Sequence, residues 1–362
     1  MDTPLNPIPP ESRNAIVTDE RIPFALCAYS LPHVMGYLKT RSGEQHPAPM
    51  TPLGLMDAAV EMKLAGVEFA LSALVPSFEG AWIDTGERRF DPKEELEKRR
   101  LRFVADYGVI LDNDAQHLRD YLRLAAETGA KVVRAVISPL LCGDRRRLEG
   151  GWEAYLDRIV ARLKEILPEA EEHGICIALE NHQDATSDDL LQLAERVNFS
   201  PSFGVTLDTG NPLAVGEDPV EYTERIAPLI RHIHIKDYTI HFAPEGYRLA
   251  RCVAGQGVID FPTILRIVHA NGHDVLPANE VAAQATRTIA LLESDWWAHY
   301  PSDHARYLVP ALRLLWAKGR PFDEPYASAW ERGADSAMVA AEEWDVVRRS
   351  SDYLHSLAQS LS

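Results

Sequence analysis

Four short apolar runs between Ile175 and Val281 each end on a side chain able to bind a metal. ICIALENH reaches Glu180, FGVTLDTGN reaches Asp208, RHIHIKD reaches His234 and DVLPANEV reaches Glu280. Strand side chains alternate with a period of two, so Cys176, Ala178 and Glu180 share one face. By the same rule Thr206 pairs with Asp208, and His232 and His234 with Lys236. The branched residues between them, such as Ile177, Leu207 and Ile233, point the other way. A buried carboxylate or ammonium costs several kcal/mol unless it is paired or metal-bound. Runs that each place such a group at the same end need a fold in which strand ends converge.

The rest of the chain supplies that fold. Strands are expected at Phe24–Leu31, Gly66–Leu74, Val109–Asp114 and Lys131–Ser138, followed by the four runs above. Helical spacing separates them. MTPLGLMDAAVEMKLAG has Thr51 as its N-cap, EELEKRRLRFVADYG shows a charged face, and DAQHLRDYLRLAAETGA stops at Gly129. WEAYLDRIVARLKEILPEAEEHG, SDDLLQLAERV, DPVEYTERIAPLI and FPTILRIVHANG continue the pattern, and Gln284–Leu292 reads as the eighth helix. Strand and helix repeated eight times imply parallel strands joined by helical crossovers. A closed ring brings its strand ends round one mouth, whereas an open sheet spreads them out, so the expected architecture is a (β/α)8 TIM barrel of the α/β class. The 362 residues hold such a barrel with extensions. Residues 1–21 read as a flexible tail and residues 22–292 as the barrel. Residues 293–362 read as a helical extension carrying five of the seven tryptophans, packed on the barrel or on a partner.

Composition narrows the partners. A net charge of −17 argues against nucleic acid, which needs a Lys/Arg footprint. Cys27, Cys142, Cys176 and Cys252 form no CxxC pair and read as thiols of a reducing compartment. The polar, proline-rich start lacks the apolar core of a signal peptide, and no run is long enough to span a bilayer. A cytoplasmic, membrane-free protein is expected. Three carboxylates and an imidazole form a mostly hard ligand set for one divalent ion. Mn²⁺ is favoured, with Mg²⁺, Co²⁺ and Zn²⁺ as alternatives. His232, one layer deeper than His234, is read as a supporting histidine.

At these motifs the chain resembles the xylose isomerase-like TIM barrel superfamily of sugar-phosphate isomerases and epimerases, ketose 3-epimerases and inosose dehydratases. The likeness runs from about Pro23 to Ile289 and is specific from Glu180 to Glu280. It implies that Glu180, Asp208, His234 and Glu280 hold the metal, and that the two glutamates act as an acid/base pair on opposite faces of a sugar. Arg251, ahead of the GQGVID turn, falls where the family has a substrate-contacting arginine. Two positions depart from the epimerases. Asn211 stands where they have a histidine, and ENHQDAT lacks their second glutamate, offering His182 instead. That Glu-x-His resembles the catalytic subunits of bacterial C-glycoside deglycosidases, which would imply a base acting on 3-oxo-glycosides and a small second subunit.

The implied chemistry is deprotonation next to a carbonyl, through an enediolate. The first reading is a sugar or oxo-sugar isomerase or epimerase. The alternative is a lyase on the same scaffold, a C-glycoside deglycosidase or an inosose-type dehydratase. His182 joins Glu180 and Glu280 as a catalytic candidate, set against a histidine bonded to a neighbouring loop. Arg251, Asn211, Lys236, Arg134 and His33 are candidate contacts to a small sugar or glycoside. Against those roles stand a Lys236–Asp237 pair and a buried ion pair of Arg134. An oligomer is expected.

Overall fold

The computed structural model describes residues 22–77, 80–281, 285–321, 323 and 326–361; the expected tail 1–21 lies outside them. Eight parallel strands close into a barrel. They are β1 (Ala25–Cys27), β2 (Gly66–Phe69), β3 (Arg102–Val109), β4 (Val132–Val136), β5 (Cys176–Glu180), β6 (Phe203–Asp208), β7 (Ile230–Ile235) and β8 (Pro277–Asn279). Each pairs with its neighbour in sequence, and β1 closes on β8 with Ala25 beside Ala278.

Seven helices lie between the strands. They are α1 (Pro52–Glu61), α2 (Pro92–Arg99), α3 (Ala115–Thr128), α4 (Trp152–Glu172), α5 (Ser187–Arg196), α6 (Pro219–Ile226) and α7 (Phe261–Ala270). Their starts follow the expected chemistry: the Thr51, Asp91, Asp114, Thr186 and Asp218 side chains each accept a backbone N–H of the first turn. The outward residues Ile177, Leu179, Val205, Leu207, Ile233 and Ile235 pack with the helices in one large core. A small second cluster, Ala25, Cys27, Val104, Leu276 and Ala278, lies apart from that core, on the strands alone.

Two expectations about the elements are corrected. The third strand is Arg102–Val109, not Val109–Asp114. Helix α2 ends where Arg100 turns left-handed, at φ 54°, which frees FVADY to alternate as a strand. Nor is Gln284–Leu292 the eighth helix: Arg287–Ile289 is a strand. It joins the hairpin Asp237–Ala243/Gly246–Cys252 in an antiparallel three-stranded sheet. Tyr247 of this sheet bonds the Leu213 carbonyl in the loop after β6, so the sheet covers the mouth of the barrel.

After α8 (Ala305–Lys318), the last helix α9 (Ser336–Leu361) returns to the ring. His355 bonds the Met62 carbonyl at the end of α1 at 2.8 Å. Tyr353 packs on Phe261 of α7, ring centroids 6.0 Å apart. Helix α9 thus fills the eighth position, and the described residues between Glu280 and Ser336 form an excursion over the mouth. Trp296 and Tyr300 anchor that excursion on the loop after β4, bonding the Cys142 and Gly143 carbonyls at 3.1 and 2.8 Å. Trp316 is 87% exposed. Among the described residues no helix is long and apolar enough to cross a membrane.

Candidate metal centre

The strand ends bring Glu180, Asp208, His234 and Glu280 together, one donor atom of each within 4.8 Å of the others. The strand register explains the convergence, for His234 lies beside Asp208 on β6 and beside Ala278 on β8. All four are buried. His234 Nδ1 stands 3.6 Å from Glu180 Oε1 and 3.5 Å from Glu280 Oε2, and it has no hydrogen-bond partner.

The other face of that ring explains why Nδ1 is open. His234 Nε2 lies 2.9 Å from Glu68 Oε1. An ionised carboxylate only accepts, so Nε2 carries the hydrogen and Nδ1 keeps its lone pair for the cluster. Glu68 Oε2 also accepts from His232 Nε2 at 2.9 Å. Against the penalty of burial, His234 and then His232 hold the Glu68 carboxyl far below its usual range. The same field acts on His234: burial opposes its charge, but Glu68 and then Glu180 push its pKa well up. The cluster therefore calls for a positive charge at Nδ1. Without a metal that charge is a proton; three carboxylates and an imidazole suit a hard divalent ion in its place.

Two buried cations brace the carboxylates from outside. Arg134 Nη1 donates to Asp106 Oδ1 at 2.6 Å, and its Nη2 donates to Glu180 Oε2. Arg134 is thus in a buried ion pair holding Glu180, the alternative set against a contact to the sugar. Lys236 Nζ bridges Asp208 Oδ2 and Glu280 Oε2, the latter at 2.5 Å. The expected Lys236–Asp237 pair does not form, because Asp208 and Glu280 take the Lys236 ammonium. Asp237 instead accepts backbone N–H groups from Tyr238, Gly255, Gly257 and Ile259. A Cβ on Gly257 would come within 2.1 Å of Asp237 Oδ1, so this turn needs glycine.

Asn211 reaches the cluster, its Nδ2 3.5 Å from Glu180 Oε1. Its backbone N–H and that of Gly210 donate to Asp208 Oδ1. Arg251 lies on the covering hairpin opposite Tyr238. His33 is corrected. Its Nδ1 meets Leu38 O at 2.8 Å and its Nε2 meets Ser336 Oγ at 2.7 Å, so both ring nitrogens tie the β1 loop to α9.

His182 follows Glu180 on a tight turn and is half-buried. Its Nδ1 has no hydrogen-bond partner, so the expected alternative of a loop-bonded histidine finds no support at that atom. Burial pushes its pKa down to about 4, which makes the ring a neutral base. The turn is held by its neighbours. Gln183 adopts φ 70°, a left-handed conformation of the kind that clusters at functional sites. Its carbonyl accepts from Gly143 N at 2.8 Å. Asp184 Oδ2 accepts from Ser138 N and Oγ at 3.0 and 2.6 Å. Glu68, Asp106 and Asp184 were not among the sequence candidates. The signal for the first two is a lone carboxylate inside an apolar strand, in GVEF and FVADY.

Comparison with known proteins bears on this site. A family model described as xylose isomerase-like TIM barrel matches residues 57–292. A 3-oxo-isoapionate decarboxylase of Pectobacterium atrosepticum is 28% identical over 221 residues, 57% of this chain and 74% of that protein. An inosose dehydratase of Clostridium beijerinckii is 25% identical over 199 residues, 51% of this chain and 62% of that protein. Among solved structures, a D-psicose 3-epimerase with D-tagatose from Clostridium cellulolyticum superposes with a TM-score of 0.57 at 12% identity, over 92% of this chain and 99% of that one. That last likeness concerns the fold alone.

Proposed function

The chain belongs to the xylose isomerase-like TIM barrel family, and on that premise we propose that it is a divalent-metal-dependent lyase acting next to the carbonyl of an oxo-sugar. The observation that carries this reading is the cluster of Glu180, Asp208, His234 and Glu280 round an open His234 Nδ1. An ion held there would supply Lewis acidity, drawing charge from a carbonyl oxygen and so acidifying the adjacent C–H bond. Mn²⁺ suits the donor set.

The chain's own groups then divide the work. His182, neutral and partly accessible, takes the proton from the carbon beside the carbonyl. The C–H electron pair becomes the double bond of an enediolate; as the carbonyl re-forms, that pair moves to the bond between the α and β carbons, and the β-substituent leaves with its own C–O pair and takes the proton back from His182. Lys236 and Arg134 keep Glu280 and Glu180 ionised. Against burial, Lys236 and then His234 hold Glu280 below its usual range, and Arg134 and then His234 do the same to Glu180. That locking favours elimination over the second reading, epimerisation. Epimerisation needs two groups that trade protons on opposite faces, and both glutamates are engaged by cations. The two sequence relatives carry the names of a decarboxylase and a dehydratase, in keeping with a lyase.

The test is to load the protein with Mn²⁺ and offer a 3-oxo-glycoside, an inosose and a free ketose. Elimination product from either oxo substrate, with the ketose unchanged, is expected, and His182→Ala should slow turnover while retaining the metal. An epimerised ketose without any elimination overturns the lyase reading in favour of epimerisation.

A further inference from the structure

Among the described residues one arginine of the covering sheet, Arg287, has no carboxylate at ion-pair distance. Arg287 pairs across the sheet with Leu249. Alternation puts Leu249 and Arg251 on one face, and Arg251 sits opposite Tyr238. Arg287, Arg251 and Tyr238 therefore share a face. It is the face turned to the mouth, because Tyr238 directs its hydroxyl at Asn211 Oδ1, 3.5 Å away. Tyr247 on the same face bonds the Leu213 carbonyl.

Other arginines near the mouth have carboxylates: Arg134 has Asp106 and Glu180, and Arg145 has Asp189. Arg287 Nε is buried with no hydrogen-bond partner. Glu331, the carboxylate in its neighbourhood, already accepts from Thr286 N and Oγ1 and from Ser328 N. Burial first, and then the facing Arg251, push the Arg287 pKa below its usual value. Arg251 in turn lies in the field of Glu280 and Asp208, so the two guanidinium groups lead from the covering sheet toward the four-donor cluster. Both keep some accessible surface. Two guanidinium groups on one half-buried face present forked donors that match an oxyanion.

We propose that Arg287 and Arg251 form a seat for an anionic group of the substrate, so that the oxo-sugar is an acid or a phosphate ester, with its carbonyl end at the four-donor cluster. This rests on the lyase reading for the position of the carbonyl, and it makes Arg287 a specificity-determining residue. Carboxylate and phosphate share the required chemistry.

Three probes of equal carbon length separate the cases: xylitol, D-xylonate and xylitol 5-phosphate, titrated calorimetrically into Mn²⁺-loaded protein. At least one anion should bind about tenfold or more tighter than xylitol, because its pairing with the guanidinium groups is charge-assisted. The tighter anion identifies the source. Arg287→Gln should abolish the preference and Arg287→Lys should restore part of it, with Mn²⁺ affinity unchanged in both. Equal binding of all three probes to the wild-type protein overturns the proposal without recourse to any variant. So does a preference that survives Arg287→Gln, since the anion would then be seated on the metal. Failure of the wild-type protein to retain Mn²⁺ strikes instead at the lyase reading, because the anion preference is also measurable on metal-free protein.

Discussion

Strands β5 to β8 and strands β1 to β4 are equal halves of one ring, yet they treat charge in opposite ways. The first half ends in the four converging donors. The second half buries Glu68, Asp106 and Arg134, and these reach across to hold the donors: Glu68 orients His234, and Asp106 and Arg134 hold Glu180. One half offers the ligands, and the other aims His234 and Glu180 from across the ring while Lys236 braces Asp208 and Glu280. The difference teaches that a site of this kind is a property of the whole ring. Outer partners of metal ligands are worth about 10–100-fold in affinity although they never touch the ion.

The comparison breaks most visibly if the ligating half is cut. Asp208→Ala should remove bound Mn²⁺ and lower turnover by about three orders of magnitude, since Lewis-acid stabilisation is worth several kcal/mol. Metal content by mass spectrometry and steady-state turnover read this together. A variant that keeps stoichiometric metal and full rate would show that the cluster is a structural knot of ion pairs.

The supporting half should give the intermediate effect. Glu68→Gln replaces an acceptor-only group by one that can present an N–H to His234 Nε2, so the imidazole loses the partner that fixes its tautomer. Mn²⁺ affinity should fall about 10–100-fold, measured by titration with turnover at saturating metal largely regained. Unchanged affinity would mean that the two halves of the ring are independent.

Legibility followed the same divide. Glu180, Asp208, His234 and Glu280 were readable because each closes an apolar run, and period-two alternation fixes which way such a residue points. For Glu68 the only local signal is a lone carboxylate inside GVEF, and what that carboxylate does comes from β7 across the barrel. Strand β3 was misplaced because the charge run of α2 shades into RFVADY, and only the left-handed Arg100 separates them. Helix α9 was readable as a helix, but its place in the ring was not. The excursion from Glu280 to Ser336 breaks the strand–helix rhythm that located the others. Arg287 stayed hidden for the same reason, on a strand that exists only through pairing with the hairpin.

The smallest effect comes from the seam where α9 secures the supporting half. Glu343 on α9 accepts the backbone N–H groups of His33 and Val34 at 2.9 and 3.0 Å, and so ties the loop after β1. Burial pushes its carboxyl from the usual 4.5 up to about 7. Between those two values the folded chain holds a proton that the unfolded chain has released. The contribution is therefore complete below pH 4.5 and is lost as pH rises through 7. Over pH 5 to 8 this amounts to about 2 kcal/mol, or a few degrees of melting temperature for a chain of this size. Glu343→Gln should flatten that part of the pH profile, whatever it does to stability at pH 5. Mn²⁺ affinity should stay as it was, because Glu343 holds a loop and not a ligand. Melting curves of both proteins across the range give the slope. Identical slopes would show that Glu343 stays ionised in the folded chain throughout, its backbone donors outweighing its burial.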